Sequence, residues 1–449
     1  MANSDDEVPI YRFPFEIFDS IFGLLVAEDR YQLETEKLRR VPVSFTISQV
    51  SQRWRDIALE LPFIWTDIQI FHFQDFQRDM VKALLARTKG LPLSITLEYN
   101  KPLTAAQSKN CWNILLDIMS CASRWKALRI AVNEDLFTQI CGNFGGREVP
   151  LLQRLELVIL GFDKRHGHRP QLNDFIVSPL YLELSHTHLL RHLVLSGIRL
   201  RMPSPTYMEQ LEVLSVDFTP GMDMLNRPGL SEEDPPLQTC LRDLSLTGLV
   251  FRNLPTRSYL SEYTAFLTTL SLSNMAGYQA SDVTRLFKHL PTVTLRELLL
   301  STVDFSFWNG FMHSLEGPEP RYPFVQRLYL QNISDDYASM SELPPRQFIQ
   351  GFPRLETLEL YHAPSVTNAL RFQAMFPCMH TLKVRGVGEM KSISYRELCD
   401  VVDFRIENNI PVTALEVDTP STYIDLPSLS WLQKRVPVFK RHPTTHKLK

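Results

Sequence analysis

The chain has 449 residues, of which 44% are hydrophobic, and its 47 basic and 50 acidic side chains leave a formal charge of −3. This content can fill a large core or a repeat array, and the balanced charge gives no sign of affinity for nucleic acid or membranes. No run of ~18 apolar residues predicts a membrane span. The N-terminal MANSDDEVP lacks the basic and apolar regions of a signal peptide. The six cysteines form no Cys-x-x-Cys pair, so we expect no zinc finger or other metal or cofactor site, and reduced thiols in a cytoplasmic or nuclear protein.

Two apolar helices are predicted near the N-terminus. The segment from Phe13 to Val26, FPFEIFDSIFGLLV, has few polar positions and carries Pro14 in its first turn. The segment from Phe45 to Leu61 repeats apolar residues at i, i+3, i+4 and i+7, with Thr46 and Gln49 as a capping box. Two such helices leave apolar surface unburied, which indicates a protein–protein site.

These two segments resemble an F-box, especially the version common in expanded fungal families, and the resemblance spans about Pro9 to Ile70. The family pattern is roughly Leu-Pro-x-Glu-Ile…Ile-Phe, then Val-Cys-x-x-Trp-Arg-x-Ile-Ala…Pro-x-Leu-Trp. The matching residues are Pro14, Glu16, Ile17, Ile21, Phe22, Val50, Trp54, Arg55, Ile57, Ala58, Pro62 and Trp65. The chain departs from the pattern at Phe13, where Leu is usual, and at Ser51, where Cys is usual.

The resemblance implies that this module binds a Skp-type adaptor and, through it, a cullin. The residues at adaptor-facing positions of the pattern are Phe13, Pro14, Ile17, Ile21, Phe22, Val50 and Trp54. The segment from Ala27 to Val43 is longer than the family usually has and is dense in charge, which predicts either a solvated loop or a short surface helix. The alternative interpretation of the whole module is an ordinary helical pair in a larger core.

A second pattern, Leu-x-x-Leu-x-Leu with Val or Met allowed, recurs through most of the remaining chain. The leucines at its fourth position are Leu128, Leu155, Leu193, Leu214, Leu244, Leu270, Leu298, Leu328, Leu358, Leu382 and Leu415. The segment 93–97, LSITL, reads as a degenerate strand before the first copy. Successive copies are 21 to 38 residues apart, close to the ~20–29 residues of leucine-rich repeats. The array resembles the leucine-rich repeats that follow F-boxes, and Asn274 and Asn332 fit the Asn position after the strand.

The segments between copies predict helices. These are 281–290 with Ser281 as its cap, 305–315, and 394–409 with Ser394 and Glu397 as a capping box. Another helix is predicted from Arg78 to Lys89. We therefore expect an α/β protein: a small all-α F-box followed by an α/β solenoid, a horseshoe of irregular leucine-rich repeats. The predicted parts are the F-box domain (1–75), a linker helix and the start of the repeats (76–124), the solenoid (125–432) and a basic tail (433–449).

Side chains alternate along a strand, so the residues between the inward leucines would line the concave face of the solenoid. The later copies place large aromatic and basic residues there, which are common at interface hot spots. We predict that Arg327, Tyr329, Tyr361, Lys383 and Arg385 bind the target protein, with an acidic or phosphorylated segment as the preferred ligand. The alternative is that they are ordinary solvated strand residues.

Catalytic motifs are missing from the sequence. It has no Gly-x-Ser-x-Gly elbow and no phosphate-binding Gly-x-x-x-x-Gly-Lys loop. His188 and His192 have the spacing of a helical metal pair, but His192 lies in a predicted strand. His166, Gly167, His168 and Arg169 form a polar loop segment. The basic residues after Lys440 predict either a solvated tail or a weak nuclear-import or nucleic-acid patch.

Together these features predict the substrate-recognition subunit of an SCF (Skp–cullin–F-box) ubiquitin ligase, which is not itself an enzyme. Its partners would be the adaptor, the cullin and an unidentified target protein. The first alternative is a Skp-binding structural or assembly scaffold that acts outside the ligase. A repeat-fold enzyme or a nucleic-acid binder is the other alternative.

Overall fold

A computed structural model describes residues 13–36, 41–99, 101, 103–133, 136–137, 140, 148–160, 187–197, 210–217, 240–248, 250–251, 264–277, 279–290, 292–333, 348, 350–363, 366–367, 370, 376–387, 393–419 and 425–443. The chain divides into two compact units, Met1–Leu193 and Val194–Lys449. Both units are mixed α/β, and the strand pairs that the structure describes are parallel.

In the first unit, three helices precede a parallel sheet. The helices whose bounds the structure describes in this unit are α1 (Phe15–Glu36), α2 (Val43–Val50), α3 (Gln52–Glu60), α4 (Asp75–Arg87) and α5 (Ala105–Met119), with short 3-10 turns at Pro62–Trp65 and Ala122–Arg124. The strands, hydrogen-bonded in chain order, are β1 (Asp67–Ile70), β2 (Leu93–Tyr99), β3 (Trp125–Val132) and β4 (Arg154–Ile159). The helix predicted from Arg78 to Lys89 is confirmed as α4, and the degenerate strand predicted at 93–97 is confirmed as β2.

The single helix predicted from Phe45 to Leu61 is wrong, because the chain breaks into α2 and α3 at Ser51. Ser51 has an extended backbone (φ −157°), and its side chain accepts the backbone N–H of Trp54, so that it caps α3. The capping box predicted at Thr46 and Gln49 is also wrong, since α2 already begins at Val43 and both residues lie inside it. The serine that departs from the F-box pattern therefore supplies the cap.

The helix predicted from Phe13 to Val26 begins at Phe15 and continues to Glu36. Pro14 precedes the helix instead of lying in its first turn. Much of the charged segment after Val26 is therefore a continuation of α1, and not the loop or separate short helix that was predicted, because Ala, Glu, Gln and Leu are good helix formers. Within this extension, Asp29 accepts the backbone N–H of Val43 at 3.3 Å and satisfies a donor at the start of α2.

The second unit is also built on parallel strands. The boundary between the two units, after Leu193, falls within β5 (His192–Ser196). The strands that follow are β6 (Val213–Asp217), β7 (Asp243–Thr247), β8 (Val250–Phe251), β9 (Thr269–Ser273), β10 (Ala276–Gly277), β11 (Glu297–Val303), β12 (Arg327–Ile333), β13 (Thr357–Tyr361), β14 (Thr381–Arg385), β15 (Ala414–Thr419) and β16 (Val438–Pro443). Among the strands that the structure describes, β8 and β10 pair with each other, and the remaining strands pair with their neighbours in chain order.

Four α-helices are described in the second unit: α6 (Ala280–His289), α7 (Phe305–Ser314), α8 (Tyr395–Glu407) and α9 (Leu426–Arg435). They confirm the helices predicted near 281–290, 305–315 and 394–409. The Ser394–Glu397 capping box is confirmed. The predicted cap at Ser281 is wrong, because α6 begins one residue earlier and Gln279 is its N-cap.

The repeated leucines coincide with the register of this sheet. Each leucine at the fourth position, from Leu214 in β6 to Leu415 in β15, lies directly opposite the leucine of the next copy. These leucines are buried, and the residues between them are partly exposed, so the two faces of each strand differ as predicted. One face of the sheet is therefore core, and the other, which we call the open face, presents the interleaved residues.

A second repeated feature lies at or just beyond the end of seven strands. Four residues after the fourth-position leucine, seven copies have a left-handed backbone, at Gly197, Gly248, Asn274, Thr302, Asn332, His362 and Gly386. Glycine and asparagine adopt this conformation at the lowest cost. The sequence pattern identified only Asn274 and Asn332, because an Asn-based family pattern does not recognise glycine at the same place.

The C-terminal basic segment differs from the predicted solvated tail. Residues 438–443 form β16, which pairs in parallel with β15 and places Phe439 opposite Leu415. Lys440 of this strand lies 3.5 Å from the Glu416 carboxylate. Residues 444–449, with the remaining basic side chains, lie outside the described part of the chain.

Candidate protein-binding surfaces

The N-terminal helices bury one stripe of α1 and expose another. Phe18, Phe22 and Val26, one turn apart, are buried. The indole of Trp54 in α3 packs against the rings of Phe18 and Phe22, with centroid distances of 5.7 Å and 5.1 Å. Trp54 therefore holds α3 against α1, and much of its side chain has an internal role.

Five of the seven residues predicted to face an adaptor are exposed, namely Phe13, Pro14, Ile17, Ile21 and Val50. Val50, at 57% exposure, is more exposed than Phe13, Ile17 or Ile21. Phe22 is fully buried and Trp54 partly buried, so these two support the surface from beneath. The exposed stripe of α1 continues beyond the residues that match the F-box pattern, since Leu24 is 73% exposed and Leu25 is 39% exposed.

Leu24 was missed because it does not match the family motif, although helical spacing identifies it. Residues 17, 21 and 24 follow the i, i+4, i+7 rule and so lie on one side of α1. Phe15, at 40% exposure, and Val41, at 69%, are further open apolar side chains in this part of the first unit. We call Ile17, Ile21 and Leu24 the α1 stripe.

The α1 stripe lies on a firmly held helix. The Arg53 guanidinium donates to the backbone carbonyl of Phe13 at 2.8 Å and lies over the Phe18 ring, which fixes the start of α1 to α3. The buried Trp65 indole donates to the carbonyl of Ala58 at 2.7 Å and ties the end of α3 to the following turn. The exposed apolar side chains of α1 therefore lie on a helix that is held in place by these contacts.

The five residues predicted to bind a target all lie on the open face of the second unit. Tyr329 of β12 is opposite Glu359 of β13, and Glu359 is opposite Lys383 of β14. Tyr361 is opposite Arg385. Arg327 begins β12 on the same face, so the predicted residues are brought together on adjacent strands.

Their charges, however, are matched by carboxylates. Arg327 pairs with Glu297, Arg385 lies 2.5 Å from Glu359, and Lys383 lies 3.1 Å from Glu416. The open face of β11–β16 also carries Lys440 and Asp418. Apart from His442, this face therefore has four positive and four negative side chains. The sequence could not show this, because each carboxylate is about one repeat away from its cation.

The Tyr329 ring is fixed on this face. Its hydroxyl donates to the Gln331 side-chain carbonyl. Burial raises the pKa of the Tyr329 phenol, and Glu359 and Tyr361 raise it further against the opposing effect of Arg385. The phenol is therefore neutral at physiological pH, and it presents an oriented aromatic ring.

The open face of the first unit contains one buried carboxylate. Glu156 of β4 receives the Arg154 Nε at 2.6 Å on one oxygen and the Arg129 guanidinium on the other. Burial alone would raise the pKa of Glu156, but the Arg154 and Arg129 guanidiniums outweigh it and hold that pKa below its ordinary range. The three residues form an ion-pair cluster between β3 and β4.

Among the described residues, no group of three or more His, Cys, Asp or Glu side chains is placed to hold a metal ion. His188 lies in a turn and His192 in β5, so they do not form the helical pair that their spacing suggested. His166, Gly167, His168 and Arg169 lie outside the described residues. Within the described part of the chain, no helix combines the length and hydropathy that crossing a membrane requires.

The chain matches no protein-family model and no curated protein.

Proposed function

We propose that this protein is the substrate-recognition subunit of an SCF (Skp–cullin–F-box) ubiquitin ligase. In this proposal α1–α3 form an F-box that binds the Skp-type adaptor, and the β-strands and helices that follow form a leucine-rich-repeat solenoid that binds the target. The chain forms no covalent bond itself, because catalysis comes from bringing the target close to the ubiquitin carrier. A cytoplasmic or nuclear location belongs to the same proposal.

The observation that carries the proposal is the α1 stripe. Ile17 is 43% exposed, Ile21 37% and Leu24 73%, although the same helix buries Phe18 and Phe22 completely. A helix that is apolar on both sides needs a second partner, and exposed apolar patches of this kind mark protein–protein sites. The order of the motifs along the chain is what makes a Skp-type adaptor the proposed partner.

The test replaces two residues of the α1 stripe that contribute little to the core. Ile17→Asp with Ile21→Asp should reduce recovery of the purified Skp adaptor to background, since a buried apolar interface does not tolerate unpaired charge. Leu116→Asp is the matched control, because Leu116 is a 44% exposed leucine on α5, away from the F-box motif. Circular dichroism and the unfolding temperature should match wild type in both variants. Undiminished adaptor binding by the double variant would refute the docking surface.

The alternative function is a Skp-binding scaffold outside the ligase, and it rests on the same surface. Recovery of cullin together with the adaptor distinguishes the two, because only the ligase subunit requires both. A nucleic-acid binder is disfavoured by the open face of β11–β16, where cations and carboxylates are equal in number, since phosphate backbones select uncompensated Lys and Arg.

A further inference from the structure

The open face of the second unit changes sharply in side-chain size between β9 and β12. Ser245 of β7 lies opposite Ser271 of β9, Ser271 lies opposite Leu299 of β11, and Leu299 lies opposite Tyr329 of β12. All four are partly exposed. Neighbouring strands are ~4.8 Å apart. The small side chains of Ser245 and Ser271 therefore form a shallow depression beside the larger side chains of Leu299 and Tyr329. We call Ser271, Leu299 and Tyr329 the step.

The two large residues of the step, Leu299 and Tyr329, present an apolar surface. Leu299 has no polar atoms in its side chain, and the Tyr329 hydroxyl is directed to Gln331 of its own strand. Because this hydrogen bond fixes the ring, a partner that contacts it loses little additional side-chain freedom. Aromatic rings with a satisfied polar end supply large contact area, as hot spots do.

The charges beside the step do not select an anion. A phosphate or carboxylate approaching Arg385 would meet Glu359 2.5 Å from that guanidinium, and one approaching Lys383 would meet Glu416. Arg327 is engaged by Glu297 in the same way. Like-charge juxtaposition of this kind is costly in an interface. The surface is complementary to a segment of low net charge.

We propose that the step takes a large apolar side chain from an unphosphorylated target segment of low net charge. This rests on the proposed function, of which it specifies the target chemistry. The incoming side chain covers Ser271 and packs against Leu299 and Tyr329, and it makes no ion pair with the charged residues of β12–β15, which already pair with one another. It replaces the acidic or phosphorylated ligand that the sequence alone suggested.

The test selects ligands from a phage-displayed library of random peptides on the purified full chain, and adaptor binding is measured separately by adding the purified adaptor. Selected peptides should share a large aliphatic or aromatic residue and have a net charge near zero. Leu299→Ser with Tyr329→Ala should weaken them by about tenfold or more, and Ser271→Phe, which fills the depression, should also block them. Arg385→Gln should change affinity by no more than about twofold. Raising the salt from about 0.05 M to 0.5 M should have a similarly small effect, because apolar contacts are not screened.

Acidic peptides that lose binding in Arg385→Gln or in high salt would overturn the proposal. So would selection of no peptide above background, or equal binding by wild type and both step variants. The adaptor is measured in the same preparations: loss of the adaptor with peptide binding retained would refute the ligase proposal alone. The reverse result would refute only the step.

Discussion

Gly310 of α7 lies so close to Val283 of α6 that a methyl group on Gly310 would come within 2.6 Å of the Val283 Cβ and within 2.4 Å of the Ala280 carbonyl oxygen. The Thr284 hydroxyl joins the two helices, at 2.9 Å from the carbonyl oxygens of both Ala280 and Gly310. Helices of neighbouring repeats therefore meet through backbone, and only glycine fits at this point.

Gly310→Ala should destabilise the protein by about 1–3 kcal/mol, because an added methyl group in a packed helix contact forces the backbones apart. Gly23→Ala is the control. Its new Cβ would approach no closer than 4.0 Å to Phe63, so in the interior of α1 it should stabilise by about 0.5–1 kcal/mol. Urea unfolding measures both changes. A neutral Gly310→Ala would show that α6 and α7 have room to separate.

Leu298 and Leu299 are adjacent leucines of β11 on opposite faces, and they test the two-sided sheet. Leu298 is fully buried, so Leu298→Ala should cost about 2–5 kcal/mol through lost burial and a cavity. Leu299→Ala removes a partly exposed side chain and should cost less than about 1 kcal/mol. Urea unfolding of the two variants gives the comparison. Similar losses would mean that both faces of β11 are covered.

The repeating leucines predicted much of this fold, because burial on one face imposes a period of two wherever a strand lies. The pattern located β11 and β12 and the opposition of Leu298 to Leu328. It did not predict the break at Ser51, since an apolar stripe at helical spacing is the same whether one helix or two carry it. Nor did it predict β1 and β16, which lack the leucine motif and form through pairing with β2 and β15.

The candidate surfaces were only partly predictable. The sequence correctly predicted that α1 carries apolar residues on several sides. Packing against Trp54 is what buries Phe22 and leaves Ile21 exposed, and the sequence does not show that packing. The sequence identified the positive side chains on β12–β14, but it did not show that carboxylates of other strands pair with them. Arg385 and Glu359 are 26 positions apart in the sequence, and only the strand register brings them together.

Substitutions at the repeated left-handed position should change stability in opposite directions, depending on the residue that is there now. Gly386 has φ 67°, so Gly386→Ala should cost about 1–2 kcal/mol. Thr302 occupies the same place with φ 50°, which is unfavourable for a β-branched residue. Thr302→Asn should therefore stabilise by up to about 1 kcal/mol, since Asn tolerates this conformation. Thermal unfolding of both variants is the measurement, and a loss of stability in Thr302→Asn would argue that its side chain has a packing role.

Glu156 should make stability depend on pH. Its folded-state pKa is lowered from 4.5 by Arg154 and Arg129 against the effect of burial. A carboxyl group with a lowered pKa contributes stability above its unfolded pKa and loses that contribution as pH falls through the folded value. Glu156→Gln, which imitates the protonated form, should therefore cost about 1–3 kcal/mol at neutral pH, and the deficit should shrink steadily below about pH 4. Glu319→Gln, at an exposed position, should show no such deficit. Urea unfolding at a series of pH values tests this, and a Glu156→Gln deficit that stays constant into acid would show that the loss does not come from the charge of Glu156.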